Sequence, residues 1–134
     1  MQLRKIGWLG TRTESAVAMA DLFGRVMGIP FHHGDKDFWV FQLPDGGKVE
    51  VFGPRSDNPH FTTGPVPGFL VDDVDAATEE LRSAGISIVS GPTRWEEDDV
   101  AWVHFRAPDG NIYEITQGRD LELWQEVGRR RLSG

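Results

Sequence analysis

Apolar and polar positions alternate along two stretches of this chain that flank the same tripeptide. Residues 38–52 read FWVFQLPDGGKVEVF, and residues 102–116 read WVHFRAPDGNIYEIT. A shift of sixty-four positions superposes Phe41 on Phe105, Asp45 on Asp109, Gly46 on Gly110 and Glu50 on Glu114. Alternation with period two is the signature of a half-buried strand. Pro-Asp-Gly supplies a fixed φ and then a residue that accepts positive φ, so each stretch predicts a hairpin. The predicted strands are 38–43 with 48–52, and 100–107 with 111–117.

Upstream of each hairpin the period changes to that of a helix. Met19, Leu22, Phe23 and Val26 recur at helical spacing after Thr13 and Ser15, either of which can cap. Val74, Ala77, Leu81 and Ala84 do the same after Asp72-Asp73. Gly28 and Gly85 stand where a glycine ends a helix. Short β-rich stretches follow at 29–33 and 86–90, and strands precede each helix at 3–13 and 68–71. The expected unit is βαβββ, made twice. It divides the single domain of 1–134 into modules 3–53 and 68–118, a proline-containing linker 54–67 and a C-terminal segment 119–134. Within that segment 120–131 predicts an amphipathic helix carrying Leu121, Trp124 and Val127. Residues 91–99, rich in Glu and Asp around Trp95, are expected to form a loop.

Bulk properties narrow the function classes. The composition, 39% hydrophobic and 26% charged, is that of an ordinary globular domain. A formal charge of −7 argues against binding a nucleic-acid backbone. No apolar run is long enough to span a bilayer. The absence of cysteine excludes disulfides, thiolate metal sites and cysteine nucleophiles. The default expectation is a cytoplasmic protein with no nucleic-acid or membrane partner.

The doubled βαβββ order, with PDGGKVE and PDGNIYE, GFLVDDVDAA and the helix end RVMGI, resembles the vicinal oxygen chelate superfamily. That group includes glyoxalases, extradiol dioxygenases and the fosfomycin- and bleomycin-resistance proteins. The resemblance implies an α+β fold in which two modules form cupped mixed sheets around a shared cleft. It also implies a metal held by a histidine in the first strand and a glutamate in the last strand of each module. Those four places fall on Trp8, Glu50, Val66 and Glu114. Both histidines are missing, and two carboxylates are a poor set for a borderline metal. The expectation is therefore no cofactor and no tightly bound metal.

Candidate site residues follow. Glu50 and Glu114 alternate with apolar neighbours; burial statistics alone favour solvent-facing side chains, and the resemblance points both into the cleft. His104 shares a strand face with Trp102, and is either a ligand contact or a half-buried structural residue. Phe38 occupies the place of Trp102 in the other module, and Trp8 replaces a metal ligand. Aromatics converging on a concave sheet make a stacking site. The ligand-binding set is thus Trp8, Phe38, Glu50, Trp102, His104 and Glu114, with Glu114 and His104 the candidate catalytic pair. His32 and His33 are expected in a surface turn, His60 in the linker away from the cleft, and Arg12 and Arg106 in pairs with an anion or the glutamates.

Three functions fit. The leading one is a binding protein for a planar or aromatic metabolite or drug, of the bleomycin-resistance type, working as a homodimer. The second is an enzyme, either a metal-dependent lyase, isomerase or dioxygenase or a metal-free acid–base catalyst using Glu114 and His104. The third is a dimeric interaction module whose cleft is filled by its own side chains.

Overall fold

The computed structural model describes residues 1–62, 64–95 and 99–118. The expected 120–131 helix lies outside them. Among the described residues there are eight strands: β1 (Lys5–Arg12), β2 (Phe31–Asp35), β3 (Phe38–Gln42), β4 (Lys48–Phe52), β5 (Val66–Leu70), β6 (Ser87–Trp95), β7 (Val100–Arg106) and β8 (Ile112–Gln117). Helix α1 (Ala16–Asp21) continues into a π-helical turn, Leu22–Val26, and α2 (Val74–Ser83) follows β5. The sheet order is β2-β3-β4-β1-β5-β8-β7-β6. Each copy contributes four adjacent strands, in mirrored order about the β1–β5 junction. This is the α+β architecture expected, with both halves joined into one mixed sheet. β1 pairs parallel with β4 and antiparallel with β5, and β5 pairs parallel with β8.

The two Pro-Asp-Gly hairpins are built alike. Asp45 Oδ1 accepts from the Gly47 amide at 2.8 Å, and Asp109 Oδ1 accepts from the Asn111 amide at 2.9 Å. Gly46 and Gly110 take φ of +88° and +87°, a left-handed conformation that glycine adopts without steric cost. The same local chemistry sets the same register twice, and so brings Glu50 and Glu114 to matching places.

One face of the sheet carries the helices. Phe41, Val49 and Val51 are buried against Ala16, Met19 and Phe23, while Val103, Phe105 and Ile115 are buried against Val74 and Ala77. Asp73 caps α2, its Oδ1 accepting from the Ala76 amide. The opposite face holds a third cluster of Phe52, Phe61, Val66 and Ile112, flanked by Trp8 and Phe38.

Four sequence expectations need correction. Leu22 and Val26 do not join the buried stripe of α1; they are 38% and 60% exposed. The ladder there switches to i→i+5 bonding (Met27 amide to Leu22 carbonyl, 2.8 Å), and the wider turn breaks the 3.6-residue spacing. Ala84 is exposed at the C-cap of α2, and Thr78 takes a place on the buried face. Residues 91–95 are not loop: β6 runs on to Trp95, with Thr93, Arg94 and Trp95 opposite Trp102, Ala101 and Val100. Register shifts on both sides of Ser90 absorb Gly91-Pro92, which an edge strand tolerates. Finally, the stretch between the halves is more than a connection, because Phe61 is 3% exposed within the third cluster.

Candidate functional site

Strands β3 and β7 are separated by four others in the sheet order. Even so, Phe38 of β3 and Trp102 of β7 line one cavity of about 670 Å³, so the sheet curls around it. Strand parity decides which side chains enter. Phe38 and, on β4, Lys48, Glu50 and Phe52 point inward, while Trp39, Val49 and Val51 point to α1. Trp102 and His104 of β7 point inward, while Val103 and Phe105 face α2.

Trp8 lies across the middle of the floor. Its ring packs against Phe61, Phe52 and His104 at centroid distances of 5.9, 6.3 and 6.5 Å. Two glycines make room. A Cβ on Gly10 would stand 2.0 Å from the indole, and one on Gly68 would stand 2.8 Å from Glu114 Oε2 and 3.0 Å from Trp8 Cβ. Gly10 is opposite Glu50 in the β1–β4 register, and Gly68 is opposite Glu114 in the β5–β8 register. Each glutamate therefore faces a glycine, the second trace of the internal symmetry.

The two carboxyl groups differ in their partners. Burial raises the Glu50 pKa to about 7, opposed by the charge of Lys48 and a hydrogen bond from Trp8 and assisted by the charge of Glu114. Glu50 is half-buried with its open side on the cavity. Glu114 is 5% exposed, and burial raises its pKa well above the ordinary carboxyl value, against the pull of Lys48. Its Oε1 is 2.9 Å from His104 Nε2. His104 is 2% exposed, and desolvation lowers its pKa to about 4. The two shifts agree: the buried pair holds one proton in its neutral form, a carboxylic acid beside a neutral imidazole.

His60 does not line the cavity, yet its Nε2 lies 2.8 Å from Nδ1 of His104, which does. No local pattern announces this; only its position shortly before β5 hints at it. Lys48 was also missed, although it shares a strand face with Glu50 two residues on. Trp95, expected in a loop, stands on β6 at the cavity mouth with its ring edge-on to Trp102 at 5.9 Å. His32 and His33 lie on edge strand β2 rather than in a turn, with their Nδ1 atoms 2.6 Å apart, and neither lines the cavity. Arg12 and Arg106 donate to the carbonyls of Pro54 and Gly110, not to a glutamate.

The family's metal positions do not make a metal site here. Val66 is fully buried in the apolar cluster and has no donor atom to offer. Trp8 has only an indole N–H, and Glu114 is already engaged by His104. Among the described residues, no group of three or more His, Cys, Asp or Glu side chains is placed to hold a metal ion.

The Glu50 shift has a measurable consequence. A carboxyl whose folded pKa lies above its unfolded value stabilises the fold below the unfolded pKa. That stability is lost as pH rises through the folded value. The window here is pH 4.5 to about 7. Glu50→Gln keeps the acceptor for Trp8 and cannot ionise. Its stability relative to wild type should rise across this window, by about 3 kcal/mol at most. Urea unfolding of both proteins at pH 5 and pH 8 reads the difference; equal gaps at the two pH values refute the assignment.

Residues 5–115 match the family model of the glyoxalase/bleomycin resistance protein/dioxygenase superfamily. No curated protein matches the sequence. Among solved structures, the Mn(II)-bound glyoxalase from Novosphingobium aromaticivorans is 19% identical with a TM-score of 0.68; the match covers 87% of this chain and 39% of that one. The methylmalonyl-CoA epimerase from Mycobacterium tuberculosis is 16% identical (TM-score 0.65, 86% and 88% covered). The NAD-dependent benzaldehyde dehydrogenase from Legionella pneumophila is 14% identical (TM-score 0.61, 84% and 98% covered). At these identities the likeness is one of fold.

Proposed function

This chain belongs to the glyoxalase/bleomycin resistance protein/dioxygenase superfamily, and from that premise we propose that it binds a planar or aromatic small molecule in its cleft without the family's metal. The observation that carries this reading is a replacement. Where the family places two histidines, this chain has Trp8 and Val66, beside an open cavity of about 670 Å³. That volume falls in the range of small-molecule pockets. Phe38, Trp8 and Trp102 provide faces for stacking, and Glu50, Glu114 and His104 provide polar anchors. The open cavity counts against the filled-cleft reading.

One observation favours a second reading, metal-free acid–base catalysis. Glu50 sits near neutrality at about 7, and Glu114 with His104 offers a buried proton, the pairing of poised groups that proton transfer uses. Elemental analysis followed by thermal-shift screening of metabolites and antibiotics tests both readings. The expected outcome is protein free of stoichiometric zinc, nickel, manganese or iron, stabilised by aromatic compounds; a ligand at a hundred times its Kd adds about 2.7 kcal/mol. Stoichiometric metal in protein purified without supplement overturns the metal-free premise. Deuterium entering a bound ligand from heavy water selects catalysis over binding alone.

We further propose a homodimer. Among the described residues, β2 and β6 are the terminal strands of the sheet order, each with a single strand neighbour, β3 and β7. Val17, Val26 and Met27 are 60% or more exposed. Exposed edges and apolar surface favour association. Sedimentation at micromolar concentration is expected to give twice the 15.0 kDa chain mass, and a monomer refutes this.

A further inference from the structure

Three side chains connect the cleft floor to the segment between the two halves in one line of hydrogen bonds. Glu114 lines the cavity, and its Oε1 meets His104 Nε2 at 2.9 Å. His104 Nδ1 meets His60 Nε2 at 2.8 Å. His104 is 2% exposed, whereas His60 is only half-buried. Phe61 packs edge-on against both imidazoles, at 4.8 Å from His60 and 4.7 Å from His104. A structural histidine needs one partner per buried nitrogen. Here both nitrogens of His104 face groups that can either give or accept a proton.

We propose that Glu114, His104 and His60 form a proton path from the cleft floor to the protein surface, with His60 as its outlet. The line has two neutral arrangements. In one, Glu114 Oε1–H donates to His104 Nε2, and His104 Nδ1–H donates to His60 Nε2. In the other, His60 Nε2–H donates to His104 Nδ1, His104 Nε2–H donates to Glu114 Oε1, and the acid proton sits on Oε2.

A proton passing from a bound ligand to Glu114 Oε2 converts the first arrangement into the second. The Oε1 proton moves to His104 Nε2, the Nδ1 proton of His104 moves to His60 Nε2, and the Nδ1 proton of His60 leaves to water. The ligand ends one proton poorer and the solvent one richer. All three side chains remain neutral, and both imidazoles have changed tautomer. Lys48, whose charge acts on Glu114, and Glu50 line the cavity and take no part. The inference gives a use to the reading of Glu114 as a cleft anchor, and that is where it rests on the proposed function. Its test needs no ligand, so the two fail separately.

The experiment follows exchange of the His104 ring proton with water by NMR on ¹⁵N-histidine-labelled protein. Wild type is compared with His60→Gln and His60→Leu. Glutamine keeps a hydrogen bond to Nδ1 but cannot pass a proton onward; leucine removes the bond. The path predicts that exchange slows at least tenfold in both variants. A packing role for His60 predicts the opposite, since loosening the segment around Phe61 opens His104 to water. Exchange in His60→Gln that equals or exceeds the wild-type rate overturns the proposal, and this variant decides the matter if His60→Leu folds poorly.

Discussion

Replacing Trp102 by alanine is expected to weaken binding of a planar ligand more than tenfold, as measured by titration calorimetry with a compound found in the thermal-shift screen. Trp102 faces the cavity from β7, opposite Phe38 across the curled sheet, and its indole is braced by Trp95. Stacking on an aromatic ring contributes about 0.5–1.5 kcal/mol beyond the area it buries. The area lost with an indole adds more, at roughly 25 cal/mol per Å². Since tenfold corresponds to about 1.4 kcal/mol, the sum exceeds it. The control is His32→Ala. His32 lies on β2, outside the cavity lining, and its loss should leave affinity nearly unchanged. If His32→Ala abolishes binding and Trp102→Ala does not, the cleft has been assigned to the wrong face.

The largest expected effect on stability comes from adding a single methyl group. In Gly10→Ala the new Cβ would stand 2.0 Å from the Trp8 ring, well inside contact distance. Phe52, Phe61 and His104 pack against the indole, so it can yield only by turning into the cavity. Overpacking of this kind costs about 1–3 kcal/mol, which lowers the Tm of a domain this size by roughly 5–15 °C. Trp8 must also release its hydrogen bond to Glu50, so ligand affinity should fall as well. Calorimetric melting and the tryptophan emission spectrum check both parts. An unchanged Tm with unchanged emission means that Trp8 does not lie over Gly10.

The hairpins, both helices and the shared strand face of Glu50 and Glu114 follow from information only a few residues long. Pro-Asp-Gly sets a turn whatever surrounds it, and that turn sets the parity of every residue in the flanking strands. Phe38, Trp102, His104 and both glutamates therefore share the cleft-facing side of the sheet by local rules, once the resemblance says which face is concave. The departure at Trp8 and Val66 was legible for the same reason, since the position along a strand is countable from the helix that follows.

What the sequence could not determine depends on contacts between distant segments. The π-helical turn exposes Leu22 and Val26 through a backbone bond that no side-chain spacing encodes. β6 extends through Gly91-Pro92 because β7 offers it partners, although the local composition reads as loop. His60 and His104 are forty-four residues apart, and neither is near the other until the two half-sheets close and Phe61 is buried against both rings. Burial then decides their chemistry. An imidazole and a carboxylic acid with ordinary pKa values in the unfolded chain become a neutral pair in the folded one, because a charge costs more at the floor of the cleft than in water.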